Sequence, residues 1–134
     1  MNKENQIIDL INWLDKSGIQ DDNGGVYSWW DSKKNKYGIF YSEITGYFIT
    51  LNLYLYKIYK TNNFLLNAEK AANWIEKNAL LESGAILTRQ YLDDEDKIFS
   101  FEGKNVFSFD SGMVLAGFCY LYKETKNIKY LKVA

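Results

Sequence analysis

The chain predicts an all-α fold of helical hairpins in which a long loop carries each outer helix to an inner one. Three observations lead there. Apolar residues recur at helical spacing in four segments. Two of these segments are apolar almost all round and the other two are one-sided, the difference between a buried helix and a surface one. Finally, the chain repeats itself. Laying Ser42 on Ser108 aligns two segments without a gap at an offset of 66 residues, so that Gly46 meets Gly112, Tyr54-Leu55-Tyr56-Lys57 meets Tyr120-Leu121-Tyr122-Lys123, Leu65 meets Leu131 and Ala68 meets Ala134. The preceding helix and loop repeat as well: Asn12-Trp13-Leu14 corresponds to Asn73-Trp74-Ile75, and Gly24-Gly25-Val26 loosely to Gly84-Ala85-Ile86. An all-round apolar helix must pack against its sequence neighbours, so a ring of such hairpins, inner helices lining a barrel and outer helices shielding them, satisfies the pattern.

Taken in order, Asn2 to Lys16 reads as an amphipathic helix with Ile7, Leu10, Ile11 and Leu14 on one face, stopped at Gly18. A long non-helical passage follows, Ile19 to Tyr41, punctuated by Asp21-Asp22-Asn23-Gly24-Gly25 and Asp31 to Lys36. Helix two, about Glu43 to Lys60, is apolar most of the way round and is expected to be buried on several sides. Thr61-Asn62-Asn63 turns into helix three, about Phe64 to Asn78, which is one-sided through Leu65, Ala68, Ala71, Ala72 and Ile75. A second long passage, Leu80 to Phe107, leads to helix four, about Phe109 to Thr125, again apolar nearly all round. Lys126-Asn127 turns into Ile128 to Ala134. The expected organisation is one partial domain with repeat units of about 1–60 and 64–125 and a third outer helix from 127.

Composition narrows the chemistry. A formal charge of −1 with both signs mixed along the chain offers no electrostatic footprint for nucleic acid. With no histidine and one cysteine, imidazole-dependent triads, Cys-His pairs, Cys/His zinc sites and an internal disulfide are excluded within the chain. The longest uncharged run, Ile44 to Tyr56, is shorter than the ~18 residues of a spanning helix, so membrane insertion is not expected. No leader-like apolar core opens the chain, which sets a cytoplasmic location as the expectation. The acidic run Asp93-Asp94-Glu95-Asp96 lacks the spacing of a calcium loop and reads as a solvated turn, so no metal and no cofactor is expected. Cys119, among Phe118, Tyr120 and Leu121, reads as a buried inert thiol.

The passages Gly24-Gly25-Val26-Tyr27-Ser28-Trp29-Trp30-Asp31, Tyr41-Ser42-Glu43-Ile44-Thr45-Gly46-Tyr47 and Phe109-Asp110-Ser111-Gly112-Met113-Val114 resemble the six-hairpin (α/α)6 toroid superfamily. That superfamily includes unsaturated glucuronyl hydrolases, N-acylglucosamine 2-epimerases and bacterial toroid proteins of exopolysaccharide biosynthesis, the last being the most similar. The resemblance covers almost the whole chain, which accounts for about two of the six hairpins. A partial (α/α)6 toroid, the N-terminal fragment of a ring, is therefore the expected fold. Ala134 matches Ala68, well inside helix three, which also points to a truncated product.

The resemblance implies a saccharide ligand and acidic residues at the mouth where loops and inner-helix N-termini gather. Glu43 and Asp110 hold those positions. Paired carboxylates across a sugar-sized gap are what glycoside cleavage, or proton abstraction at a sugar carbon, requires. An enzyme here would be glycoside hydrolase-like or sugar epimerase-like through carboxylates, because histidine-dependent epimerase chemistry has no residue to carry it. Tyr27, Trp29, Trp30, Tyr37, Tyr41 and Tyr91 suit stacking on sugar rings, with Asp31 and Arg89 as polar partners. A structural reading stands beside each. Ser42 and Ser108 read as N-caps, and an acidic first-turn residue gains ~0.3–1 kcal/mol from the helix dipole without any chemistry. The rings could equally cover the barrel mouth. The competing functional classes are a non-catalytic helical scaffold for a protein or peptide, and a fragment with no activity of its own. Unsealed inner-helix faces predict self-association of the isolated chain.

Overall fold

The computed structural model describes residues 3–92 and 105–134. Its elements run α1 (Lys3–Lys16), β1 (Trp30–Asp31), β2 (Lys36–Tyr37), β3 (Phe40–Tyr41), α2 (Ser42–Tyr59), α3 (Asn62–Asn78), β4 (Arg89–Gln90), α4 (Ser108–Thr125) and α5 (Ile128–Val133). The helices fall where the apolar periodicity puts them. The strands are two-residue ladders inside the long loops, β1 with β2 and β3 with β4, both antiparallel.

The repeat is present in three dimensions. The inner helices α2 and α4 are each 18 residues long, and both end on a left-handed lysine, Lys60 at φ 55° and Lys126 at φ 59°, whose N–H donates to the Tyr56 or Tyr122 carbonyl. Such a cap satisfies a carbonyl the helix leaves open and turns the chain sharply. The next helices start at Asn62 and Ile128, again 66 residues apart. Each outer-to-inner loop opens on the same tight turn. Asp21 N–H donates to Gly25 O and Gly24 N–H to Asp21 O, as Leu81 N–H does to Ala85 O and Gly84 N–H to Leu81 O. Gly24 (φ 104°) and Gly84 (φ 83°) supply the positive φ those turns need.

The core lies where α2, α3 and α4 meet. Ile49, Phe118, Leu121 and Ile75 are fully buried there, each worth ~1.5–3 kcal/mol of removed apolar surface. Alanines 68, 71 and 72 let α3 lie close. Gly46 permits the closest approach of α2 to α4, since a Cβ at that position would stand 2.8 Å from the Met113 carbonyl carbon. Gly117 does the same from α4, where a Cβ would stand 3.2 Å from the Gly46 oxygen. Contacts between the second turns of both helices, and the 3.8 Å Lys57–Glu124 ion pair near both C-terminal ends, make α2 and α4 parallel.

Several expectations are corrected. The α1 stripe is not buried: Ile7 and Leu10 are exposed, Trp13 is 54% exposed, and of the stripe only Leu14 packs on the core. Among the described residues no helix covers that side of α1, which is tied down through its C-terminal end, where the Tyr37 hydroxyl donates to Ser17 O at 2.6 Å. The inner helices are not buried all round: α2 packs against α3 and α4, and α4 packs against α2 and α5 with only a small contact on α3, which leaves Tyr47, Leu51, Tyr54 and Ile58 of α2 and Phe109, Leu115 and Tyr120 of α4 exposed. Cys119 is exposed rather than buried, because it lies on α4's uncovered flank. Ser42 and Ser108 are the first helical residues and not caps; Tyr41 and Phe107 hold the cap positions without a side-chain cap bond. The acidic run Asp93 to Asp96 lies outside the described residues.

Candidate functional site

Parallel inner helices bring their N-termini to one end, and the loops before them are knitted together there. Ser42 carries most of that work: its N–H donates to Thr88 O at 2.9 Å and its Oγ donates to Leu87 O, so the second loop satisfies one of the N–H groups that the start of α2 leaves open. Thr88 N–H then donates to Asn105 O, just ahead of α4. Thr45 Oγ1 donates to Tyr41 O at 2.8 Å and receives the Val26 N–H at 3.4 Å, locking the first loop to α2. The ladder that results places Tyr41 opposite Arg89 and Phe40 opposite Gln90.

Five of the sequence candidates converge here: Tyr41, Glu43, Arg89, Tyr91 and Asp110. The Arg89 guanidinium lies over the Tyr41 ring, 5.3 Å from its centroid, an attractive cation–π placement. Burial pushes the Tyr41 hydroxyl above its ordinary pKa, with a hydrogen bond to Glu43 and the charge of Asp110 adding to the shift. Glu43 thus bears on the Tyr41 hydroxyl through a hydrogen bond and Asp110 through its charge, which brings the first turns of α2 and α4 to the same polar region. Burial works against the charge on Arg89, but hydrogen bonds with Tyr91 and Tyr41 outweigh it, and its pKa is raised.

The cluster is incompletely satisfied. Asp110 is only 3% exposed, and its Oδ2 has no hydrogen-bond partner among the described residues. Arg89 Nε, Ser111 Oγ and Thr88 Oγ1 are buried and unpartnered as well. Leaving such a group unpaired costs ~1–3 kcal/mol, more for a charged one; Asn52 Oδ1, inside α2, is a fifth such atom among the described residues. Sequence reading does not single out Thr88 or Ser111; the only signal they carry is adjacency to Arg89 and Asp110.

The aromatic loop forms a separate structure. Tyr27 stacks on Tyr37 at 4.9 Å and on Phe40 at 4.5 Å, Phe40 leans on Trp74 at 5.2 Å, and Trp30 meets the edge of Tyr37 at 4.8 Å. Tyr27 thus has both neighbours stacked on its ring, and Tyr37 has one stacked and one edge contact. Trp29 and Trp30 keep about half their surface exposed. Asp31 caps its own turn, accepting the Lys33 and Lys34 N–H groups, and those backbone bonds hold its carboxyl below the usual range. Among the described residues no cluster of three or more metal-ligating side chains is found.

No match to this chain is found among curated proteins. Among solved structures, the chain is similar to an inactive variant of the alpha-1,6-mannanase GH76A of Salegentibacter sp. HEL1_6, in which two consecutive aspartates are replaced by asparagine, in complex with alpha-1,6-mannotriose. The TM-score is 0.74 at 17% identity; the match covers 99% of this chain and 38% of that one. That likeness shows the fold, a helical toroid of which this chain forms part. The glycosyl hydrolase family 76 description matches residues 9–134, within the six-hairpin superfamily expected from the sequence, and the chain accordingly belongs to glycosyl hydrolase family 76.

Proposed function

We propose that this chain supplies part of the wall and a mouth carboxylate of a carbohydrate-processing toroid whose ligand is an α-linked mannoside. The observation that carries the reading is Asp110: a buried carboxylate at an inner-helix N-terminus, one oxygen unpartnered, in a cluster with Arg89, Tyr41 and Glu43. The family membership and the mannotriose bound by the solved neighbour support the same ligand class.

Glycoside hydrolysis needs one carboxyl group to protonate the leaving oxygen and a second to act as base or nucleophile. Asp110, its Oδ2 without a partner among the described residues, is suited to the second role. Glu43 faces the same phenol and is the candidate for the first. Arg89, held by Tyr41 and Tyr91, supplies a cationic, multi-donor guanidinium beside the carboxylates, suited to hydrogen-bonding a sugar hydroxyl. Exposed Trp29 and Trp30 offer ring faces for stacking.

The test is turnover of α-1,6-mannooligosaccharides by the full-length polypeptide carrying Asp110→Asn or Glu43→Gln, beside tryptophan fluorescence of each variant titrated with α-1,6-mannotriose. Loss of about 100-fold or more in turnover with binding retained is expected for Asp110→Asn. Unchanged turnover in both variants would reduce the two carboxylates to helix-end residues. Absence of any response to mannosides would remove the ligand class.

A further inference from the structure

We infer that Trp29, laid flat on Gly38, forms a subsite of its own for one ring of a bound oligosaccharide, with Gly38 as the residue that positions it; the ligand class rests on the mannoside reading proposed for the mouth. A Cβ built on Gly38 would stand 2.5 Å from Cε2 of the Trp29 indole, 2.8 Å from Nε1 and 2.9 Å from Cδ2. Nε1 and Cδ2 are both bonded to Cε2, and slightly longer, near-equal distances to those two put the built atom above Cε2 along the ring normal. The indole therefore meets the Gly38 backbone with its face and not its edge. Any larger residue at position 38 would push it away. The Gly38 N–H donates to Trp29 O at 2.8 Å, which fixes the two residues opposite one another. One face of the ring is thus spent on the chain beneath it. Trp29 is nevertheless 45% exposed, and among the described residues no other aromatic ring meets it. The outer face is the part left open.

The same kind of seat occurs a second time with the opposite outcome. A Cβ on Gly25 would stand 2.7 Å from Cε2 and Nε1 of Trp74 and 2.8 Å from Phe40 Cδ1. Phe40 covers that indole at 5.2 Å, and Trp74 is 3% exposed, a core residue. Trp29 has the glycine seat without the covering ring. Trp30 has no such seat: its ring stands at 76° to Tyr37 and rests on no glycine. A ring held at a fixed angle gives up little freedom when a ligand stacks on it, which is what separates a binding platform from an exposed tryptophan. Its place relative to the mouth follows from the hairpin. Ser28 N–H donates to Ile39 O and Tyr41 N–H to Val26 O, so the paired segments run unbroken from the platform to Tyr41 of the polar cluster. Gly38 and Tyr41 are three residues apart on that extended strand, roughly 10 Å. One pyranose ring does not span that distance. The platform and the carboxylate cluster therefore take different rings of one chain, and the subsite selects an oligosaccharide over a single sugar.

The test is calorimetric titration of the full-length polypeptide with mannose and with α-1,6-mannotriose, for the parent and for Trp29→Ala, Trp29→Tyr, Trp30→Ala and Gly38→Ala, beside the melting temperature of each. The parent should prefer mannotriose, and Trp29→Ala should weaken mannotriose binding about tenfold, the scale of one lost ring-stacking contact. Trp29→Tyr keeps a ring face and should recover most of that loss. Gly38→Ala should weaken mannotriose with its tryptophan intact, because the new methyl lifts the indole from its seat. Trp30→Ala should cost less than Trp29→Ala. Mannotriose bound as tightly by Trp29→Ala as by the parent, or a parent that binds mannose as tightly as mannotriose, would overturn the inference and leave the mannoside reading standing. So would affinity losses that only track lowered melting temperatures, which would make Trp29 and Gly38 a strand-stabilising pair. A parent that binds neither sugar would remove the ligand class and the inference with it.

Discussion

The paired glycines offer a sharp internal control on the packing argument. Gly46→Ala and Gly112→Ala occupy equivalent positions of equivalent helices, so both gain the same helix propensity, ~1 kcal/mol. They differ in what the new methyl meets. At Gly46 it would lie 2.8 Å from Met113 C, 2.9 Å from Met113 O and 2.9 Å from Val114 N, backbone atoms with no rotamer to change. Reaching ordinary contact requires α2 and α4 to separate by roughly half an ångström along the seam that buries Ile49, Val114 and Phe118. Overpacking of this kind costs ~1–3 kcal/mol. At Gly112 the methyl meets nothing within 4 Å. In the 134-residue chain Gly112→Ala should therefore raise stability by about 1 kcal/mol, and Gly46→Ala should fall below it by ~1–3 kcal/mol. At about 4 °C per kcal/mol for a domain of this size, the two melting temperatures should lie roughly 4–12 °C apart. Thermal unfolding followed by circular dichroism at 222 nm measures this directly. Coincident melting temperatures would show that α2 and α4 do not meet at Gly46 as described.

Three further outcomes follow from other parts of the fold. Tyr37→Phe removes the 2.6 Å bond to Ser17 O and should cost about 1 kcal/mol, with faster amide exchange confined to α1, since that bond anchors a helix that buries no residue of its own. Burial, followed by the neighbouring Glu69, pushes the Tyr130 hydroxyl up to about 12, above its ordinary value of 10.0. Its contribution to stability should thus be complete below pH 10.0 and be lost as pH rises toward 12, a decline that Tyr130→Phe flattens in alkaline urea melts. ANS should bind the 134-residue chain through the open groove of about 520 Å³ lined by Leu14, Ile44, Tyr47, Leu51 and Tyr54. Leu51→Glu should reduce that fluorescence severalfold, whereas an ANS-silent parent chain would refute the openness of that face.

The helices, their division into inner and outer, and the repeat are legible in the amino-acid order, because these are local periodicities that any solution of the fold must honour. The offset of 66 residues survives down to the left-handed caps at Lys60 and Lys126, since the same side chains at the same spacing close the same turn. The amino-acid order also placed Glu43, Asp110, Tyr41, Arg89 and Tyr91 among the candidates, and the structure gathers those five. What it could not decide was who partners whom. Tyr27 and Tyr37 look like sugar platforms in a string of letters, yet they stack on each other, and Tyr27 on Phe40 as well, contacts set only when the loop folds back on itself. Asp31 looks like a ligand and is a turn cap. Ser42 looks like a cap, but its hydroxyl is drawn to Leu87 O, 45 residues away, because the second loop passes within reach. Exposure too belongs to tertiary structure: Ile7, Leu51 and Leu115 carry the pattern of buried residues and stay open, since burial requires a neighbouring helix and a pattern can only ask for one.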